Sequence, residues 1–169
     1  MEEAKTLDER VIFVNRVARV VQGGRRFRFQ ALVVVGDHLG SVGVGISKGA
    51  DVTAAINKAT NDAKKNMIKL HLYNGTLTHE VEAKLGGAKV LILPAAPGTG
   101  LIAGGVIRSV LEVSGIENAL SKSIGSNNRI NVAYATLGAL QSMVPASKWV
   151  TRTNAESKTV PKKVTKKLE

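Results

Sequence analysis

The chain has 169 residues, with 24 Lys plus Arg against 13 Asp plus Glu, a formal net charge of +11, and no cysteine. An excess of that size selects a polyanionic partner, and the missing thiols exclude a disulfide framework and any thiolate metal site. A hydrophobic content of 44% belongs to an ordinary globular protein, of a length that suits one large or two small domains.

Residues 1–9 are polar and acid-rich, lack the apolar stretch of a secretory signal, and read as a flexible N-terminus. No apolar run approaches the ~20 residues that cross a bilayer, so the expected setting is cytoplasmic, without membrane contact. From Arg10 to Lys48 the chain is rich in valine, and glycine-bearing turns divide it into strands near Val11 to Val21, Arg26 to Val35 and Ser41 to Ser47. The first turn, Gln22 to Arg25, carries Gly23 and Gly24, which permit a tight reversal and leave no Cβ to hold a nucleic-acid backbone away. Beyond it Arg26 and Arg28 project from one face of the outgoing strand. Phe27 and Phe29 project from the other, where core packing suits them better than base stacking. Arg16 and Arg19 fall on opposite faces of the incoming strand. In the third strand Val42, Val44 and Ile46 face one way and Gly43 and Gly45 the other.

After Gly49 the period changes. Val52, Ala55, Ile56, Ala59, Ala63 and Met67 form the apolar stripe of an amphipathic helix, with Asp51 placed to cap it. Off the stripe, Lys58, Lys65 and Lys69 are spaced to share a face, with Lys64 beside them; beside a basic hairpin, such a row reads as a second phosphate-binding element. Three strands and one helix make a compact α+β domain over residues 10–73. The Asn74-Gly75 turn opens a second α+β domain, residues 74–150, with strands at Thr76 to Leu85 and Lys89 to Leu93 and helices at Ala103 to Val113 and Asn131 to Met143. Residues 151–169 are Lys- and Thr-rich with little to bury, and read as a basic disordered tail.

Between the second domain's strands and its first helix lies Pro97-Gly98-Thr99-Gly100-Leu101-Ile102-Ala103-Gly104-Gly105. A glycine-rich turn into a helix can hold an anion, yet no Lys or Arg occurs between Lys89 and Arg108, as a Walker-type loop requires. Close packing of backbone against RNA or a neighbouring protein fits Gly98, Gly100 and Gly104 better. His38, His71 and His79 lack metal-ligand spacing, and Glu80, Glu82, Glu112 and Glu117 show no acid/base pairing. No catalytic residue, cofactor or metal is therefore expected. With one Trp, two Tyr and three Phe, folded, largely double-helical RNA held through phosphate and shape is a better partner than single strands stacked on aromatics.

Several ordered blocks resemble the bacterial small-subunit ribosomal protein S-five family. They are Val14-Asn15-Arg16-Val17-Ala18-Arg19-Val20-Val21, Gly23-Gly24-Arg25-Arg26-Phe27-Arg28-Phe29, Ala31-Leu32-Val33-Val34-Val35-Gly36-Asp37, Ala63-Lys64-Lys65-Asn66-Met67, Asn74-Gly75-Thr76, Pro94 to Gly100, Ile102-Ala103-Gly104-Gly105 and Asn131-Val132-Ala133. The resemblance implies a double-stranded-RNA-binding-like domain followed by an α+β domain of the fold shared with a family of small-molecule kinases. It implies a structural, non-enzymatic constituent of the small ribosomal subunit that binds 16S ribosomal RNA, holds head against body, and contributes to accuracy. Its neighbours would be proteins S-four and S-eight and the messenger path, with no self-association. Carried onto this chain, the RNA contacts would be Arg16, Arg19, Gln22, Gly23, Gly24, Arg25, Arg26, Arg28, Lys48, Lys58, Lys64 and Lys65. Gly98, Gly100, Gly104 and Arg108 would pack on protein or RNA, with Gly100 and Arg108 in the region facing S-four.

The chain departs from the family pattern at Gln22, where lysine is usual, at Ser41, where arginine is common, and at Arg129, where proline is usual; Val44 and Ile46 replace aromatics. A degenerate kinase relative and a free-standing duplex-RNA regulator are the competing readings.

Overall fold

In the computed structural model, which describes residues 7–145 and Lys148, a stripe of small residues sets the first packing layer. Strands β1 (Asp8–Val21), β2 (Gly24–Gly36), β3 (Ser41–Gly49) and β4 (Ile68–Lys69) form an antiparallel sheet in that order. Helix α1 (Val52–Lys65) lies across one face. Ala55, Ala59 and Ala63, four residues apart, come down on Gly49, Gly45 and Gly43. A Cβ at Gly45 would lie 2.1 Å from the Ala59 carbonyl oxygen, and one at Gly43 would lie 2.2 Å from that of Ala63. Glycine on the strand and alanine on the helix let the two backbones approach at a distance no larger pair permits.

The predicted helix is real but shorter. It ends at Lys65, so Met67 and Lys69 leave it; Met67 covers Gly43 from beyond the last turn, and Lys69 belongs to β4. Asp51 occupies the N-cap in extended conformation, but its side chain makes no capping bond. The first reversal is tighter than expected: Val21 pairs with Gly24, leaving Gln22 and Gly23 as the turn. Gly23, at φ 90°, takes the left-handed second position.

Asn74 and Gly75, at φ 47° and 73°, make the two-residue turn of a small ribbon, β5 (Leu72–Tyr73) and β6 (Thr76–Leu77). The strand expected over Thr76 to Leu85 is therefore broken in two, its second part being β7 (Val81–Leu85). Next come β8 (Ala88–Pro94), β9 (Leu101–Ile102), α2 (Gly105–Ser114), β10 (Ala119–Gly125) and α3 (Arg129–Gln141). The second sheet runs β7-β8-β10-β9, with only β9 and β10 parallel.

The two sheets share a core. Phe13, Leu32, Val34, Val42 and Val44, on the face of the first sheet away from α1, join Val90, Ile92, Ile107, Val110, Leu111, Ala133 and Leu140 in one apolar cluster. Ala31, Val33 and Val35 pack with α1 in a second. The β2–β3 turn locks onto the end of α2, where the His38 and Gly40 amides donate to the Val113 and Ser114 carbonyl oxygens at 3.1 and 3.0 Å.

Charge closes the same seam. Glu112 of α2 accepts from Arg10 of β1 and, at 2.9 Å, from Arg108. The Arg108 hydrogen bond is the main cause holding the Glu112 carboxyl below its ordinary range, with the Arg10 charge adding to it against the opposing effect of burial. A depressed folded-state pKa stabilises above the unfolded value and ceases to do so as pH falls through the folded one. The stability gap between wild type and Glu112→Gln is thus expected to be full above roughly pH 5 and to close in stronger acid. Denaturant melts across that range check it; a gap that widens in acid contradicts it.

Candidate nucleic-acid interface

The β1–β2 hairpin runs past the part of the sheet that α1 covers and becomes a free arm. Between Arg10 and Gly36 the chain has no Asp or Glu, and Arg16, Arg19, Gln22, Gly23, Gly24, Arg25, Arg26 and Arg28 are all exposed. The stretch from Asn15 to the turn, at ~3.3 Å per residue, reaches about 20 Å.

Register distributes its charge. Arg19 pairs with Arg26 and Val17 with Arg28, so Arg19, Arg26 and Arg28 share one face; Lys48, opposite Gln30, continues it along β3. Arg16, Arg25, Phe27 and Phe29 lie on the other. Only Phe29 reaches the core packed under α1. Phe27 is 50% exposed, because the helix begins too far back along the strand to cover it. The Arg16 guanidinium instead sits 3.8 Å from its ring centroid. A strand with a binding face and a packing face is thus corrected to an arm that presents arginine on both sides, one of them spread over an aromatic ring. That pairing lay in the cross-strand diagonal, which needs the register before it can be seen.

The lysines do not gather as expected. Lys58 and Lys65 are exposed on α1, on the opposite layer from Arg26 and Arg28, whereas Lys64 is bound by Glu9 at 2.8 Å and its charge is already answered. Gln22 stands at the apex of the arm, exposed, in the first position of the turn.

The glycine-rich loop has a different character. Gly98 and Gly100 have φ of 89° and 71°, and an added Cβ at either, or at Gly104, would meet nothing within 4 Å. Backbone conformation calls for glycine at the first two, and the space above all three is open. The Gly100 amide donates to Asn118 Oδ1 at 3.0 Å, tying the loop to the start of β10. Arg108, one turn into α2, is exposed but turned back to Glu112. Where α2 begins, a cleft of about 500 Å³ opens between the sheets, lined by Gly104, Gly105, Ser109, Ser123, Asn127 and Arg129 with apolar neighbours. Arg129 lies 5.8 Å from the Phe13 ring centroid at its edge. No group of three or more potential metal-ligating side chains occurs among the described residues, and no helix there is long and apolar enough to cross a membrane.

Two family models match this chain. The one described as ribosomal protein S5, N-terminal domain, covers residues 7–71. The one described as ribosomal protein S5, C-terminal domain, covers residues 83–152. Among similar proteins, the small ribosomal subunit protein uS5 of Thermus thermophilus is 50% identical over 136 residues, 80% of this chain and 84% of that protein. The protein of the same name from Treponema pallidum is 51% identical over 144 residues, 85% of this chain and 84% of that protein.

Proposed function

The chain belongs to the ribosomal protein S5 family, and from that membership we propose that it is a structural, non-catalytic component of the small ribosomal subunit that grips 16S ribosomal RNA with its arginine arm. The observation that carries the reading is the arm itself: five exposed arginines between Asn15 and Arg28, a stretch without one carboxylate. Such a surface neutralises phosphates and, being a paired ribbon rooted in a core, meets them with little ordering cost. Lys48 extends the contact along the sheet, and Lys58 and Lys65 supply a separate one on α1.

The two sheets share one apolar core, which suits a protein that holds the head of the subunit against its body. The open glycine loop and Arg108 are the surface through which it would face the neighbour S-four and bear on accuracy, with S-eight and the messenger path also close by. Its place would be the ribosome of the cytoplasm. The kinase-like reading gives way to family membership, and Arg129, the single cation among the described residues that line the cleft, does not make a phosphate-transfer site.

Sedimentation of cell extract tests the assignment. The chain is expected with the small subunit, and recovery mainly in ribosome-free fractions overturns it.

A further inference from the structure

The two faces of the arm are not alike. On the face of Arg19, Arg26 and Arg28 the valines, Val17 and Val21, are partly buried. On the other face Val14, Ala18, Val20 and Phe27 are all exposed beside Arg16 and Arg25, Val20 at 77%. The residue directly across from Phe27 is Ala18, whose methyl group leaves the ring open on that side. The Arg16 guanidinium, reaching along the diagonal to 3.8 Å from the ring centroid, turns the pair into a small platform of two delocalised groups. An apolar surface interleaved with arginine, on an arm projecting beyond the helix that covers its root, is the mark of a site that another molecule covers.

The mixture identifies that molecule. A phosphate would answer Arg16 and Arg25 but leave the ring uncovered. A second copy would oppose arginine to arginine, and residues 151–169, with six basic and two acidic side chains, share the sign of the arm. An unpaired nucleotide answers both demands, its base lying flat on the ring and guanidinium and its phosphates meeting the arginines. We propose that the Arg16–Phe27 pair is a base-stacking site for one unpaired nucleotide of the RNA, while the opposite face meets phosphates alone. The proposal rests on the ribosomal reading above and deepens it.

The test measures filter binding of the full-length chain to 16S ribosomal RNA over a salt series, with wild type, Phe27→Leu, Phe27→Trp and Arg16→Lys. Phe27→Leu is expected to bind roughly tenfold less tightly with the salt slope of wild type, because a stack releases no counterions. Phe27→Trp should keep the affinity. Arg16→Lys, which keeps the charge but not the plane, should lose part of it at the same slope. Ultraviolet irradiation of the wild-type complex, read by mass spectrometry, should attach a nucleotide at Phe27. Melting temperatures of the free variants should match wild type, as both side chains are exposed. Equal affinity for Phe27→Leu and wild type overturns the proposal, as does a slope that falls with the affinity, a lower melting temperature for Phe27→Leu, or, in assembled subunits, a photocross-link from Phe27 to another protein in place of a nucleotide. If wild type itself does not bind 16S ribosomal RNA, the ribosomal reading fails and this one with it; if it binds and Phe27→Leu matches it, only this one falls.

Discussion

Gly45→Val is expected to destabilise the protein by about 3 kcal/mol or more, with a fall in Tm of roughly 6–12 °C. Its first added carbon would stand 2.1 Å from the Ala59 carbonyl oxygen and 2.5 Å from the Ala63 amide nitrogen, both backbone atoms of α1. A flexible side chain can swing away from such an intrusion; a helix backbone moves only as a whole. Lifting α1 also uncovers Ala31, Val33 and Val35. Gly104→Ala serves as the comparison, since Gly104 has ordinary φ and open space above it, and as the replacement of a glycine N-cap of α2 by alanine it is expected to cost only about 1 kcal/mol or less. Thermal melts of both variants check the pair. Equal stability for Gly45→Val and wild type would mean that the helix does not approach the sheet this closely.

Arg25→Ala combined with Arg26→Ala is expected to weaken binding to 16S ribosomal RNA roughly tenfold or more at moderate salt. The same change should lower the slope of log affinity against log salt by about 2. Both side chains are exposed on the arm and bury nothing, so melting temperature should hold. Because Arg25 and Arg26 project from opposite faces, the single substitutions carry separate information. A contact through the Arg19, Arg26 and Arg28 face makes Arg26→Ala the costlier, whereas an arm enclosed by RNA makes the two alike. Filter binding over a salt series measures both quantities, and an unchanged slope in the double variant removes the arm from the interface.

The elements with strong local signals were legible in the sequence, and those defined by their neighbours were not. Alternating valines and glycines marked β3, and the alanine stripe marked α1, since each pattern records a face that must be buried. The arginine arm was visible as a cluster, but not its shape: whether Phe27 lay in the core depended on how far α1 extends over β2. Lys64 looked like its neighbours until Glu9, fifty-five residues earlier, was seen beside it. β10 escaped because Leu120 and Ile124 point outward and Ser121 and Ser123 inward, so a reading that seeks an apolar face toward the core finds a polar stretch. Glu112 gave no sign of its role, which requires Arg10 of a distant strand.

The common core has a consequence for how the chain is made. Leu32, Val34, Val42 and Val44 leave the synthesising ribosome well before α2, whose Ile107, Val110 and Leu111 are among the side chains that cover them. At ~5–20 residues per second that interval lasts several seconds. During it, a half-built sheet displays a bare valine and leucine surface beside a strongly cationic arm, in a compartment crowded with RNA. The nascent protein is therefore at its most adhesive before it is whole, and a chaperone or an early hold on its own target RNA has most to offer in that window.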